Sequence, residues 1–253
     1  MEPGLLKSAD WPLLIDLYFF LGGLAGGAFV LATIAALVDG RRYRDLVRVG
    51  YYLALLAIIP GPILLIVDLG LPSRFLNMLM VTAPRSTDIG VGAITLGPLH
   101  FKPASPMSVG AWALLIFSAC AFVAALLTYL EDRNRRVSGA ARVLVGLIGS
   151  AFGFFVAAYP GVLLGATARP LFISAHWLGA LFLIVGASTG AAAIALVLSL
   201  LGNAHRDSLL RLMKITAFAL ILEVVGLALF LISVSSTGSA GIARALGPLL
   251  TGS

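Results

Sequence analysis

Cysteine is almost absent from this sequence. The 253 residues include a single cysteine, Cys120, which lies inside an apolar run. One cysteine cannot form a disulfide within the chain. It also falls short of the roughly four Cys or Cys/His ligands that an iron–sulfur cluster requires. The sequence therefore predicts that this chain carries no cluster of its own.

Histidine is scarce as well. Of the three histidines, His100 and His205 fall in polar connections, and only His176 lies at the edge of an apolar run. A transmembrane haem with two axial histidines needs a pair that faces each other across helices, and the chain does not supply it. No metal site is expected. For any redox role, the electrons would have to arrive from a partner protein.

Charged residues are the third shortage. They make up 11% of the chain, against about 25% in a soluble domain, while 60% of the residues are apolar. A mean hydropathy of +1.06 places the protein in the lipid bilayer. The N-terminal stretch lacks a basic segment followed by a cleavage site, so we expect no removable signal peptide and a first span that directs its own insertion.

Six long apolar runs dominate what is present. Each is long enough to cross about 30 Å of hydrocarbon at about 1.5 Å per residue. We find no soluble domain, low-complexity linker or convincing internal repeat. The sequence therefore predicts an all-α, polytopic integral membrane protein with one transmembrane domain over residues 1–253, and its spans cover about 13–38, 47–71, 108–130, 143–166, 172–201 and 212–234.

The basic residues predict the orientation. Eleven of the 17 Lys and Arg residues lie in or directly beside the first, third and fifth connections, which must share one side of the membrane. The positive-inside rule makes that side cytoplasmic. The N-terminus and the long connection between spans two and three are then outside. The net charge of +6 reflects this orientation and implies no nucleic-acid partner.

Two motifs predict how the helices pack. The first span contains Gly22/Gly26 and Gly23/Gly27, which are small-xxx-small pairs that let helix backbones approach closely. The second span contains Pro60-Gly61-Pro62. Two prolines remove backbone donors and kink a helix, so we expect a break one or two turns before Asp68.

Asp68 is the first candidate functional residue. An ionisable residue within a span costs about 2.5–3.5 kcal/mol on insertion scales. One interpretation is that Asp68 caps its helix and pairs with Arg74. The other is that it faces a polar pocket and handles a proton or a ligand.

Other polar residues are expected at the same outer level. Asp68 lies 20 residues after Arg48, or about 30 Å along a helix, and Tyr159 lies 17 residues after Arg142, or about 25 Å. Near the same level are Asp16 and Tyr18 at the start of span one, and Arg169 and His176 before span five. Asp16 and Tyr18 point to opposite sides of a helix, so only one of them can face a shared pocket.

Glu223 is the acid expected deepest in the membrane. It follows Lys214 by nine residues, or about 13 Å, which places it near the midplane. No basic residue is expected at this depth. The carboxyl group is therefore either protonated or hydrogen-bonded across helices, and a proton-handling role is our preferred interpretation.

Four segments, in order, resemble the NrfD/PsrC family of quinone-interacting membrane subunits of polysulfide-reductase-type complexes. They are Tyr18-Phe19-Phe20 with Gly23-Leu24-Ala25-Gly26-Gly27, Asp68-Leu69-Gly70 with Pro72-Ser73-Arg74-Phe75, Ser105-Pro106-Met107-Ser108-Val109-Gly110-Ala111-Trp112, and Tyr159-Pro160-Gly161 with Arg169-Pro170-Leu171. Together they cover the first two thirds of the chain. Family members usually have eight or more spans, which exceeds the six found here.

The resemblance implies a function. Members exchange electrons between a quinone, menaquinone or ubiquinone, and an iron–sulfur subunit docked on the outer face of a bacterial or archaeal cytoplasmic membrane. A catalytic subunit, often a molybdopterin enzyme, lies beyond it, and the membrane subunit usually has no metal. By position, Tyr18 and Tyr159 would contact the quinone, and Asp68 would lie in or near the pocket.

The remaining candidates complete the predicted site. We expect Arg169 and His176 to contribute to the quinone pocket, Asp16, Asp68 and Glu223 to transfer protons, and Arg74 to adjust the proton affinity of Asp68.

Two other classes of protein remain possible. A proton-coupled secondary transporter would explain the intramembrane acids and the broken helix, although we see no second half that repeats span two. A purely structural anchor would leave Asp68 and Glu223 unexplained.

Overall fold

A computed structural model describes residues 13–68, 72–79, 94–96, 99–101, 103, 105–165, 177–202 and 206–236. Its helices are α1 (Leu13–Asp39), α2 (Arg44–Ile58), α3 (Pro60–Asp68), α4 (Pro106–Asp132), α5 (Gly139–Gly165), α6 (Leu178–Leu201) and α7 (Arg206–Ser236). With α2 and α3 taken as one span, six helices are long and apolar enough to cross a membrane. The predicted all-α, multi-pass membrane fold is confirmed.

Helix α1 lies at the centre of the bundle. Its neighbours are α2, α5 and α6, and its glycines face two of them. A Cβ atom on Gly26 would collide with the carbonyl of Gly153 in α5, and one on Gly27 would collide with the carbonyl of Gly186 in α6. The small-xxx-small pairs thus bring backbones into direct contact, as the sequence predicted.

Aromatic rings fill the middle of the bundle. Phe29 of α1 lies edge-on to Tyr51 and Phe117, with ring centroids 5.0 and 5.5 Å away. The Thr33 hydroxyl is hydrogen-bonded within this core. Its Oγ1 donates to the Phe29 carbonyl at 3.0 Å and lies 3.1 Å from the Tyr51 hydroxyl. This core fixes α1 against α2, α4 and α5.

The second span is broken where the prolines predicted. Helix α2 ends at Ile58 and α3 begins at Pro60. The Ile59 amide still donates to the Leu55 carbonyl at 3.2 Å. Pro60 and Pro62 have no N–H to continue the ladder, which interrupts the helix between α2 and α3.

The two ends of the bundle differ in chemistry. At the arginine end, Asp132 accepts hydrogen bonds from Arg44 at 3.3 Å and from Arg48 at 3.0 Å, which ties α4 to α2. Arg142 donates to Glu131 at 2.8 Å across the α4–α5 connection. We call the opposite end, which carries Tyr18, Asp68 and Tyr159, the tyrosine end.

The connection between α3 and α4 contains regular structure at the tyrosine end. A 3-10 helix covers Pro72–Met78, and a small antiparallel hairpin pairs β1 (Ile94–Leu96) with β2 (Leu99–Phe101). The sequence did not predict this hairpin. Helix α4 then starts with Ser105 as its N-cap and Pro106 in the first turn, and the Ser105 side chain accepts a hydrogen bond from the Ser108 amide at 3.4 Å.

Candidate functional site

Tyr18 is buried near the start of α1. Only 4% of the residue is exposed. Its ring lies against Gly61, where an added Cβ would come 3.4 Å from ring carbon Cδ2. The glycine between the two prolines of the broken span therefore forms one wall for this ring.

Tyr159 is buried on α5, directly before Pro160. It is 7% exposed, and its hydroxyl donates to the Pro106 carbonyl at 3.1 Å. Gly110, one turn into α4, makes room for it, because a Cβ there would overlap the ring and the hydroxyl. The segment that begins α4 thus both accepts the hydrogen bond of Tyr159 and provides the space that its ring occupies.

The two tyrosines come together from separate spans. A Cβ on Gly22, one turn after Tyr18, would lie 3.4 Å from Val156, three residues before Tyr159, so the two tyrosines lie at one level on neighbouring helices. We call them the tyrosine pair. None of the described hydrogen bonds involves the Tyr18 hydroxyl. A hydroxyl without a protein partner is available to a ligand that accepts hydrogen bonds.

The two acids of this end lie apart from the tyrosine pair. Asp68 is the last residue of α3 and is half-buried. It follows Gly61 by seven residues, or about 10 Å of helix, so it lies at the end of the span, beyond the pair. Asp16 is exposed while Tyr18 is buried, in agreement with the prediction that only one of these two faces inwards.

Three further predicted residues cannot be compared with the geometry. Arg169 and His176 lie outside the described residues. Arg74 belongs to the 3-10 helix, and its side chain lies outside the description. Their assignment to the site stays a prediction.

Glu223 is hydrogen-bonded across helices, which is one of the two states expected for it. On α7, its Oε1 accepts a hydrogen bond from the hydroxyl of Ser188 on α6. Ser188 is 5% exposed and also lies 3.0 Å from the Val185 carbonyl. No sequence pattern indicated Ser188. The packing of α6 against α7 decides which serine lies opposite Glu223, and the sequence alone does not give that packing.

The described side chains do not form a metal site. Within those residues, no group of three or more His, Cys, Asp or Glu side chains is placed to hold a metal ion. The arrangement offers phenol hydroxyls and single carboxyl groups, which donate hydrogen bonds and exchange protons.

Comparison with known proteins gives two matches. The family model described as polysulphide reductase, NrfD, matches residues 2–252. A selenate reductase subunit from Mesobacillus selenatarsenatis is 27% identical over 82 residues, which is 32% of this chain and 19% of that protein. The match thus spans about a fifth of the relative's length.

Proposed function

The chain belongs to the NrfD family of polysulphide reductase proteins, and on that premise we propose that it exchanges electrons between a membrane quinone and an iron–sulfur subunit. The subunit would dock at the tyrosine end, which the arginine distribution predicts to be the outer face. A catalytic oxidoreductase subunit, for which the resemblance suggests the molybdopterin class, would lie beyond it. The relative named as part of a selenate reductase is in keeping with such a complex.

The observation that carries the proposal is the tyrosine pair. Two buried phenol groups, from α1 and α5, lie at one level at one end of the bundle. A quinone presents two carbonyl oxygens that accept hydrogen bonds. None of the described hydrogen bonds involves the Tyr18 hydroxyl, and Tyr159 donates to a backbone carbonyl. Phenol hydroxyls are suitable hydrogen-bond donors for a quinone ring, menaquinone or ubiquinone, and they place no charge in the membrane.

A bound quinone would supply two-electron redox chemistry coupled to two protons. The chain's own residues would bind the ring and move the protons. Tyr18 would donate a hydrogen bond to the quinone, and Tyr159 would do so once a quinone oxygen replaces the Pro106 carbonyl as its acceptor. Asp68, about 10 Å beyond Gly61 towards the end of the span, is better placed to pass protons between the pocket and water than to contact the ring.

The other predicted residues keep supporting roles in the proposal. Arg169 and His176 would contribute to the pocket, and Arg74 would adjust the proton affinity of Asp68. Asp16 would exchange protons at the surface. Glu223, held by Ser188 inside the membrane, would extend a proton path towards the midplane, which would make turnover electrogenic.

Substitution in the assembled complex tests the proposal. Tyr18→Phe, Tyr159→Phe and Asp68→Asn should each lower quinol-linked turnover, and Asp68→Asn should do so by about 100-fold, the scale of a lost proton-transfer group. Assembly and electron transfer from an artificial donor to the partner protein should be unchanged. Tyr129→Phe is the control, because Tyr129 lies near the arginine end and is 45% exposed.

The outcomes separate clearly. Wild-type turnover in Asp68→Asn would remove that residue from the mechanism. Turnover that survives in both tyrosine variants, with unchanged quinol affinity, would refute the tyrosine pair as the quinone site.

A further inference from the structure

An apolar cavity lies beside the helices that support the tyrosine pair. It has a volume of about 210 Å³ and lies between α3, the 3-10 helix and α4. Its lining includes Leu65 and Ile66, Phe75 and Leu79, and Ala111 and Leu115. For comparison, an apolar cavity of about 150 Å³ is enough to bind a benzene-sized molecule.

The described lining offers a ligand almost no polar surface. Among the described residues that line the cavity, Ser118 is the one with a polar side chain. Its Oγ atom is buried, with less than 1 Å² of exposed surface and no hydrogen-bond partner in the described structure. The hydroxyl therefore does not reach the space, and the occupant that fits the cavity is a hydrocarbon.

The mouth of the cavity faces away from the bundle core. Leu115 of α4 is 47% exposed, and Phe75 of the 3-10 helix is 37% exposed. An apolar molecule that arrives through the bilayer can enter there without crossing a polar surface.

The cavity and the tyrosine pair share two helix walls. Gly61 supports the Tyr18 ring, and the next residue, Pro62, lines the cavity. Gly110 supports Tyr159, and the next residue, Ala111, lines the cavity. Successive residues on a helix differ by about 1.5 Å in height, so the cavity lies at the same level as the pair.

We propose that this cavity binds the ring-proximal segment of the isoprenoid chain of the quinone whose ring is held at the tyrosine pair. The inference rests on the proposed function, and it adds a chain-binding site to the ring-binding site. Together they would require the ligand to be a quinone with a hydrocarbon chain next to its ring, with the chain leaving between α3 and α4.

Binding measurements on the purified protein test this proposal. Ala111→Phe places a ring in the cavity, and Leu115→Trp narrows its mouth. Ala119→Phe, an exposed position on the same helix, is the matched control. The dissociation constant is measured for two ligands that share one naphthoquinone ring, menaquinone with its isoprenoid chain and menadione with only a methyl group.

Both cavity variants should weaken binding of the chain-bearing quinone by about tenfold, or 1.4 kcal/mol, with menadione binding within twofold of wild type. The control should leave both constants unchanged. Equal weakening of both ligands, or no effect on either, would overturn the chain site while the ring site stands. Failure of wild-type protein to bind either ligand would overturn the proposed function, and the chain site with it.

Discussion

At the scale of single residues, the geometry of the tyrosine pair depends on two glycines. Gly61 and Gly110 leave the space that the rings of Tyr18 and Tyr159 occupy. The backbone of Pro106 then accepts the hydrogen bond that orients Tyr159. The position of these rings is therefore set by residues that have no side-chain chemistry of their own.

Replacing Gly110 tests this dependence. In Gly110→Ala the new methyl group overlaps the Tyr159 ring and hydroxyl, so the ring must move and its hydrogen bond to Pro106 must lengthen or break. Overpacking of this kind costs about 1–3 kcal/mol in free energy of unfolding. The measurement is thermal unfolding in detergent together with quinone affinity, and both should fall.

Gly139→Ala is the matched control for that substitution. A Cβ at Gly139 meets nothing within 4 Å, and alanine favours the helix. Its stability should equal or exceed that of the wild type. If Gly110→Ala behaves like this control, the close contact with Tyr159 does not hold the ring.

The sequence predicted these residues unevenly. Counting residues along each span placed Tyr18 and Tyr159 at one level, because helical rise is fixed. The same count put Asp68 slightly further out than Tyr159, and its place in the site stays a prediction. Ser188, Gly61 and Gly110 gained no role from the sequence, because their partners come from other helices.

At the scale of helices and strands, hydrophobic length was enough to find all six spans. In the bilayer, every span must form its backbone hydrogen bonds within itself, so a long apolar run predicts a helix. The 3-residue strands of the hairpin left no such signal.

Only one of the six described spans is divided into two helices. The paired broken helices typical of transporters are therefore absent from the described part of the chain.

Helix α1 gives the second stability prediction. Gly27→Ala would bring a methyl group onto the Gly186 carbonyl of α6, and neither backbone can move without displacing its helix. Helix association in membranes depends on such close packing, so unfolding should become easier by about 1–3 kcal/mol.

Gly179→Ala serves as the comparison, since its Cβ would lie 3.6 Å from the nearest atom, an ordinary contact. Unfolding in a graded detergent series gives both values. A Gly27→Ala protein as stable as Gly179→Ala would contradict the role assigned to backbone contact between α1 and α6.

At the scale of the whole molecule, the proposal depends on which end faces outwards. Eleven of the 17 basic residues favour the arginine end as cytoplasmic. In a Cys120→Ala background, Ser73→Cys at the tyrosine end should react with a membrane-impermeant maleimide in intact cells. Ser138→Cys, between α4 and α5, should react only after lysis. The reverse pattern would place the tyrosine pair on the cytoplasmic side.

The central claim is that a quinone ring lies at the tyrosine pair, and photolabelling measures this most directly. A quinone with a photoreactive group on its ring is bound to the purified protein, irradiated, and located by peptide mass spectrometry. The account predicts labels on the start of α1, on α3 or the start of α4, and on the end of α5, with loss of labelling when unmodified quinone competes. Competable labels confined to the arginine end or to α7 would contradict it.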